Sequence, residues 1–209
     1  MEINKGVAEL VGILIGDGYI YRKNHKYQIG FVGSPKTDRE YFEKIKKLIF
    51  DEWNKESKII LRQNGLRIVI NSKEISNFLI NNLGLPYGKG KCEKVTIPPR
   101  IINNWDLVKY SIRGIMDTDG TIFVSKKLGI DRYPTMEITT TSPNLANQIR
   151  EILLKRGFKL GNIRKSKSKL SKRVAYRVPL YGKENVKKWL NEIGFSNNYK
   201  LNRAINYIQ

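Results

Sequence analysis

Two aspartates in this chain occupy positions that a helix by itself disfavours. Asp17 closes the run Leu10-Val11-Gly12-Ile13-Leu14-Ile15-Gly16-Asp17-Gly18. Asp119 closes a second copy, Ile112-Arg113-Gly114-Ile115-Met116-Asp117-Thr118-Asp119-Gly120, about a hundred positions later. An apolar run ended by glycine reads as a helix C-terminus. The dipole is negative there, and an aspartate costs roughly 0.3–1 kcal/mol. An unfavourable acid repeated in a repeated segment points to a site that needs carboxylates. Two carboxylates at two negative helix ends favour a hard divalent cation such as Mg²⁺, which takes carboxylate and carbonyl oxygens. In phosphodiester hydrolysis, metals so held activate water and stabilise the leaving oxygen.

That chemistry requires the two runs to meet. Gly12 and Gly16 leave a bare stripe on the first helix, and Gly114 and Thr118 leave a similar one on the second. Small residues four apart share a helix face and let two backbones approach closely. Gly12 and Gly114 are therefore the expected helix-interface positions, and their contact would bring Asp17 and Asp119 to one end of the interface.

The repeat extends past these runs. Ser34-Pro35 is echoed by Ser142-Pro143, Lys73-Glu74 by Lys183-Glu184, and Leu83-Gly84-Leu85 by Ile193-Gly194-Phe195. The spacing between matched steps never narrows along the chain, as loop insertions in the second copy would cause, so two halves of like fold are expected. In the first half, periodicity predicts a helix over 5–16 and a hairpin of Tyr19–Arg22 with Tyr27–Val32. A helix Asp38–Trp53, a hairpin of Lys58–Arg62 with Leu66–Ile70 around Asn64-Gly65, and a helix Lys73–Leu83 follow. The second half repeats the order, with helix 107–118, strands near 120–125 and 134–140, helix 143–156, strands near 161–166 and 174–180, and helix 183–193. A short helix from about 198 to 207 closes the chain. Ile97-Pro98-Pro99-Arg100 is expected to break any regular element, which divides the chain into domains 1–100 and 101–209. The class is α+β, with two α-β-β-α-β-β-α halves, each an antiparallel sheet with helices on one side and the other face free for a partner.

The 209 residues hold 39 Lys+Arg against 19 Asp+Glu, a net charge of +20, and the pI is near 10.0. Such an excess favours polyanions, nucleic acid above all. Arg164, Lys165, Lys167, Lys169, Lys172 and Arg173 crowd one segment, where strand alternation would set several cations on one face to meet phosphates. The one cysteine, Cys92, excludes an internal disulfide and a Cys-rich zinc site, and is expected to be a small buried hydrophobe. The one histidine, His25, argues against a His-dependent nuclease or a multi-His metal cage. There is no signal-peptide h-region and no apolar run of membrane-spanning length, so an intracellular protein (cytoplasm or nucleoid, or an organelle) with no membrane partner is expected. Trp53, Trp105 and Trp189 fall at helix or linker positions and are expected in the core.

The two nonamers resemble the paired motifs of the LAGLIDADG homing endonucleases in their single-chain, two-motif form, and the resemblance covers nearly the whole chain. It implies motif helices packed at a pseudo-twofold axis and two antiparallel sheets forming a saddle over the DNA major groove. The implied activity is metal-dependent cleavage of both strands of a long, rare duplex site by a monomer. Asp17 and Asp119 would bind Mg²⁺ (Mn²⁺ substituting), with the carbonyls of Gly16 and Thr118 completing the coordination. A basic residue in each half would polarise the site, Lys200 in one and Lys89 or Lys91 in the other. The family's earlier motif acid is Ile15 in the first copy and Asp117 in the second, where it would be a structural helix-end partner. The polar residue often found after the first hairpin, commonly Gln, is here Gly33 or Ser34, with Thr140 or Thr141 in the second half.

Base readout is expected from strand-borne Tyr19, Tyr21, Arg22, Gln28, Arg62, Arg67, Thr121, Ser125, Lys127, Arg132, Thr135, Arg164 and Arg177. Phosphate binding is expected from the basic segment around Arg164–Arg173. The same scaffold also serves as an RNA maturase that assists its own intron, or as a DNA-binding regulator that has lost cleavage. Preference for structured intron RNA would mark the first, and binding without metal-dependent cutting the second. The Met start at the motif helix, with no flanking splicing-domain residues, favours an intron-encoded over an intein-borne origin.

Overall fold

The computed structural model describes residues 1–62, 65–167 and 173–209. The first half runs α1 (Lys5–Ile15), β1 (Gly18–Lys23), β2 (Lys26–Gly33), α2 (Arg39–Trp53), β3 (Ile59–Arg62), β4 (Gly65–Asn71) and α3 (Lys73–Asn77), the last continued by a π-helical turn Phe78–Asn82. Two short helices, α4 (Lys91–Lys94) and α5 (Pro99–Ile102), lead to α6 (Trp105–Asp119). The second half continues with β5 (Gly120–Lys127), β6 (Ile130–Thr140), α7 (Pro143–Lys155), β7 (Arg164–Lys167), β8 (Val174–Tyr181), α8 (Lys183–Glu192) and α9 (Asn198–Ile208).

Local sequence accounts for most of these boundaries. Asn4 caps α1 by accepting from Val7 N at 2.9 Å, and Asn104 caps α6 by accepting from Asp106 N at 2.9 Å. Ser142 caps α7, with Pro143 in its first turn, where a missing N–H costs nothing. β1 and β2 pair Lys23 with Lys26, so Asn24 and His25 form a two-residue loop, both at positive φ. That geometry suits the right-handed twist of a hairpin. The predicted Asn-Gly turn includes Gln63 and Asn64, which lie outside the described residues.

Three expectations need correction. Ile97–Arg100 does not break all regularity, because Pro99 opens the one-turn α5 and Ile97 and Ile101 are fully buried. The helix predicted over Lys73–Leu83 changes to π geometry at Phe78, with Leu83 N bonding to Phe78 O at 3.1 Å. It then stops at Gly84, where φ is +69°. Cys92 is half-buried, not buried, and its Sγ accepts a hydrogen bond from Arg173 Nη1 at 3.0 Å.

Each half builds one four-stranded antiparallel sheet, in the orders β1-β2-β4-β3 and β5-β6-β8-β7. Alternation decides the faces. Ile20, Ile29, Phe31, Ile68 and Ile70 turn inward in one sheet, and Ile122, Met136, Ile138, Val178 and Leu180 in the other, all buried. Helices cover these faces, with Trp53 and Trp189 buried among them. Trp105 lies at the core's edge, under the Arg156 guanidinium. The opposite faces carry Tyr21, Val32, Ile60 and other exposed side chains.

The halves join through α1 and α6. A Cβ at Gly12 would stand 2.1 Å from Ser111 O, and one at Gly114 would stand 2.6 Å from Glu9 O, so main chain meets main chain. The Ser111 hydroxyl donates to Ala8 O across this contact at 2.6 Å. Beside it, the Arg113 guanidinium pairs with Glu9, which is only 6% exposed. Among the described residues no helix is long and apolar enough to cross a membrane.

Candidate active site

The close approach of α1 and α6 sets their C-terminal ends side by side. Asp17 follows the last turn of α1, and Asp119 is the last residue of α6. A Cβ at Gly16 would lie 2.0 Å from Thr118 Oγ1 and 3.4 Å from Asp119 Oδ2, so nothing larger than glycine fits between the two motifs. The Thr118 hydroxyl turns back onto its own helix, donating to Gly114 O (2.8 Å) and Ile115 O (3.0 Å).

Two lysines arrive from elsewhere in the chain. Lys91, on α4, donates to the carbonyls of Leu14 (3.0 Å) and Gly18, while Lys200, on α9, donates to those of Met116 (2.8 Å) and Thr118 (2.9 Å). Each ammonium therefore donates to main-chain carbonyls at or just past the end of a motif helix, and its charge suits the negative end of the dipole. Of the two candidates in the first half, only Lys91 reaches the site. Lys89 is exposed and forms no hydrogen bond or ion pair among the described residues.

The electrostatics show what the site lacks. Burial, followed by the nearby Asp17 charge, pushes Asp119 up to about 7, although Lys200 and Lys91 oppose the shift. Asp17 is raised as well, by burial first and also by Asp38, against the two lysines. Burial lowers Lys91 and Lys200 against the pull of the surrounding carboxylates. No hydrogen bond to the Asp17 or Asp119 carboxylates occurs among the described residues, since the lysines give their protons to carbonyls.

Two crowded carboxylates and a Gly16 carbonyl, none of which accepts a hydrogen bond among the described residues, fit an oxygen-seeking cation that keeps several waters. No cluster of three or more His, Cys, Asp or Glu suited to a metal exists among the described residues, so the protein donors would be this pair plus main-chain oxygen. The Thr118 carbonyl already accepts from Lys200, so it is less available than that of Gly16.

Behind the site lies a polar network around Asp117, the expected structural helix-end partner, whose other members sequence reasoning missed. Asp117 is 2% exposed, and its Oδ2 accepts from Ser196 N at 2.8 Å just ahead of α9. Burial raises its pKa against that hydrogen bond. The Ser196 hydroxyl reaches Glu9, and Asn197 Nδ2 reaches Asp38 Oδ1 at 3.3 Å and Asp117 O at 3.4 Å. This network ties α9, and with it Lys200, to both motif helices. Glu9 was the one acid inside the apolar run Val7–Ile15, a signal that could have been read. Asp38 looked like an ordinary helix start, and nothing in the sequence pointed to its place beside Asp17. Gly33 and Ser34 adjoin Asp38, whose Oδ2 accepts from Ser34 N at 2.8 Å. In the second half, the Thr141 hydroxyl donates to Cys92 O at 3.0 Å and Thr140 Oγ1 accepts from Ser142 N.

Strand register sorts the expected DNA-facing residues. Tyr19, Tyr21, Gln28, Arg62 and Arg67 share the open face of the first sheet. Thr121, Ser125, Arg164 and Arg177 share that of the second, where Lys127 stacks on Tyr133 at 3.8 Å. Five others depart from expectation. Arg22 has the parity of Ile20 and lies on the helix side, against Tyr27. Arg132 has the parity of Met136, and its guanidinium donates to Asn206 O on α9 at 3.4 Å. Lys165 and Lys167 fall on the face opposite Arg164, with Lys165 above Tyr176. Alternation does set Lys165 and Lys167 on one face, as expected, but that face is turned away from the open one that Arg164 shares with Arg177. Thr135 has the right parity but is 2% exposed, in register between Phe123 of β5 and Tyr181 of β8. Arg173 pairs with Glu93 at 2.7 Å, while Lys169 and Lys172 lie outside the described residues.

Comparison with known proteins agrees with this geometry. Residues 7–97 match the WhiA LAGLIDADG-like domain and residues 106–194 the LAGLIDADG-like domain. The fold is similar to that of the homing endonuclease I-DmoI in complex with DNA and Mn, with a TM-score of 0.63 and 17% identity, over 92% of this chain and 98% of that one. It is also similar to that of the homing endonuclease I-WcaI bound to its DNA recognition sequence, with a TM-score of 0.61 and 17% identity, over 96% of this chain and 88% of that one. In sequence, the whole chain is 31% identical to a segment of the replication factor C small subunit of Methanocaldococcus jannaschii, and spans only 10% of that protein's length. Each half carries its own LAGLIDADG domain, and the chain belongs to the LAGLIDADG family in its single-chain, two-motif form.

Proposed function

We propose that this chain is a site-specific double-strand DNA endonuclease of the homing type, dependent on Mg²⁺ with Mn²⁺ able to substitute. It acts inside the cell as a monomer, with residues 1–100 and 101–209 engaging opposite sides of one target. The observation that carries this reading is the pair of crowded carboxylates, Asp17 and Asp119, at the touching ends of α1 and α6. The net charge of +20 and the open sheet faces with their arginines suit a duplex partner. The DNA-bound state of I-DmoI and I-WcaI, and the Mn in the former, support the same reading. The activity of replication factor C is not carried over from the M. jannaschii relative, because the chain corresponds to a tenth of that protein.

In this reading Asp17, Asp119 and the Gly16 carbonyl would hold the cation. When bound there, it would activate water and stabilise the leaving oxygen of each scissile phosphate. Lys91 and Lys200 have two tasks: their N–H groups fix the helix ends that carry the aspartates, and their charges offset phosphate brought into the site. Asp117, with Ser196 and Asn197, holds α9 so that Lys200 keeps its place. Gly12 and Gly114 set how closely the aspartates approach.

The test is cleavage selection. Purified protein with Mg²⁺ is incubated with a large randomised duplex library, and the new ends are sequenced. A long recovered site with staggered ends is expected. Asp17→Asn or Asp119→Asn should leave binding largely intact and abolish double-strand cutting. Full cutting by either variant would overturn the assignment. Retention of specific duplex without cutting would identify a binding regulator, and preference for structured intron RNA a maturase.

A further inference from the structure

The two sheets share a register but differ in what stands on their open faces. Tyr19 lies opposite Gly30 as Thr121 lies opposite Glu137, and Ile60 lies opposite Arg67 as Arg164 lies opposite Arg177. At one matched position the first half has no side chain. A Cβ on Gly30 would stand 2.2 Å from Tyr19 Cζ, so the tyrosine ring covers that point. The second half places a carboxylate there. Glu137 is only 4% exposed although it sits on the open face. Arg164 covers it with an Nη2–Oε2 ion pair, and Arg177 Nη1 lies 3.4 Å from its Oε1. Both guanidinium groups remain open to solvent, with side chains 51% and 44% exposed.

This arrangement pre-orients two reading groups. A long arginine on a solvated strand samples many rotamers and loses that freedom on binding. Here a carboxylate buried at the sheet surface already holds both. Each guanidinium gives one N–H nitrogen to Glu137, and among the described residues its other donors make no hydrogen bond. An arginine fork presented along a major groove matches the O6 and N7 acceptors of guanine. Glu137 lies under its partners and is not placed to accept from a cytosine amino group. Arg67, the counterpart of Arg177, has no carboxylate partner among the described residues.

We propose that Glu137 is a positioning residue that presents Arg164 and Arg177 to guanines. The second half then reads its side of a duplex target sharply at those base pairs, and the first half reads the matching positions tolerantly. The inference rests on the DNA-binding reading above and adds an asymmetry that the repeat alone would not suggest.

The experiment is binding selection from a randomised duplex library, in the absence of divalent metal, with wild-type protein, Glu137→Gln and Arg164→Ala. Wild type should recover a strong guanine preference on one side of the site only. Glu137→Gln should weaken that preference by roughly 5- to 150-fold per lost two-pronged contact. Its affinity for random-sequence duplex should rise, since a negative charge has left the face. A merely structural ion pair would lower both together. Arg164→Ala should relax the same position, which keeps the test available if Glu137→Gln fails to fold. Equal guanine preference on both sides, or a preference that a folded Glu137→Gln retains, would overturn the proposal. Wild-type protein that selects no duplex sequence at all would overturn the DNA reading itself.

Discussion

Replacing Asp119 by Asn should make the metal-free protein more stable at neutral pH while removing its cutting activity. The Asp119 carboxyl titrates at about 7 in the fold against an ordinary value of 3.8, chiefly because it is buried and secondarily because Asp17 is near. Between these values the unfolded chain has released the proton and the folded chain has not. Stability that is fully present below about pH 4 is therefore lost as pH rises to about 7. A shift of about 3 units corresponds to roughly 4 kcal/mol. The side chain is only half-buried by surface area, so solvent screening reduces the expected gain to about 2–3 kcal/mol above pH 7. For a chain of this size that is roughly 4–12 °C in Tm. Urea denaturation in EDTA at pH 4 and pH 8 measures it directly. Asp119→Asn should match wild type at pH 4 and exceed it at pH 8. Mg²⁺ should then stabilise wild type but not the variant, because a ligand bound only by the folded state adds stability. A variant equally shifted at both pH values, or less stable at pH 8, would refute the electrostatic account of the site.

Other consequences are equally specific. Gly114→Ala adds a methyl 2.6 Å from Glu9 O, where main chain cannot yield. It should cost about 1–3 kcal/mol despite alanine's better helix propensity, and should reduce cutting more than binding because it moves the two aspartates apart. Lys91→Met and Lys200→Met should each impair cleavage, whereas Lys89→Met should not, as a side-by-side nicking assay would show. Glu9→Ala leaves Arg113 without its partner at the interface between halves, and denaturation should register a loss of about 3–5 kcal/mol.

Much of the architecture was legible because hydrophobic periodicity and capping act over a few residues. Val7, Leu10, Val11 and Leu14 marked α1, and Asn104 marked the start of α6. The strand pairs of each half and the order of helices followed from alternation and from the internal repeat. The π-helical turn at Phe78 and the one-turn helices α4 and α5 were not legible. A single turn has no period to read, and a change of helix type at the buried Phe78 leaves the apolar spacing of the segment unaltered. Side-chain parity was a matter of register. Arg22 and Arg132 look like any other cation in a strand until cross-strand pairing shows which residues share their face.

The sequence by itself determined that this chain has two like halves, that each ends a motif helix in an acid, and that its charge seeks a polyanion. These are properties of spacing and composition, and they survive without coordinates. Only the tertiary structure decided that Lys91 and not Lys89 enters the site, that Asp38, Ser196 and Asn197 join Asp117 in bracing it, and that Glu137 holds two arginines on one sheet and none on the other. These contacts join residues far apart in the chain. Their partners are fixed by the backbone-to-backbone packing of α1 on α6 and by strand register, which a local reading of residue types does not contain.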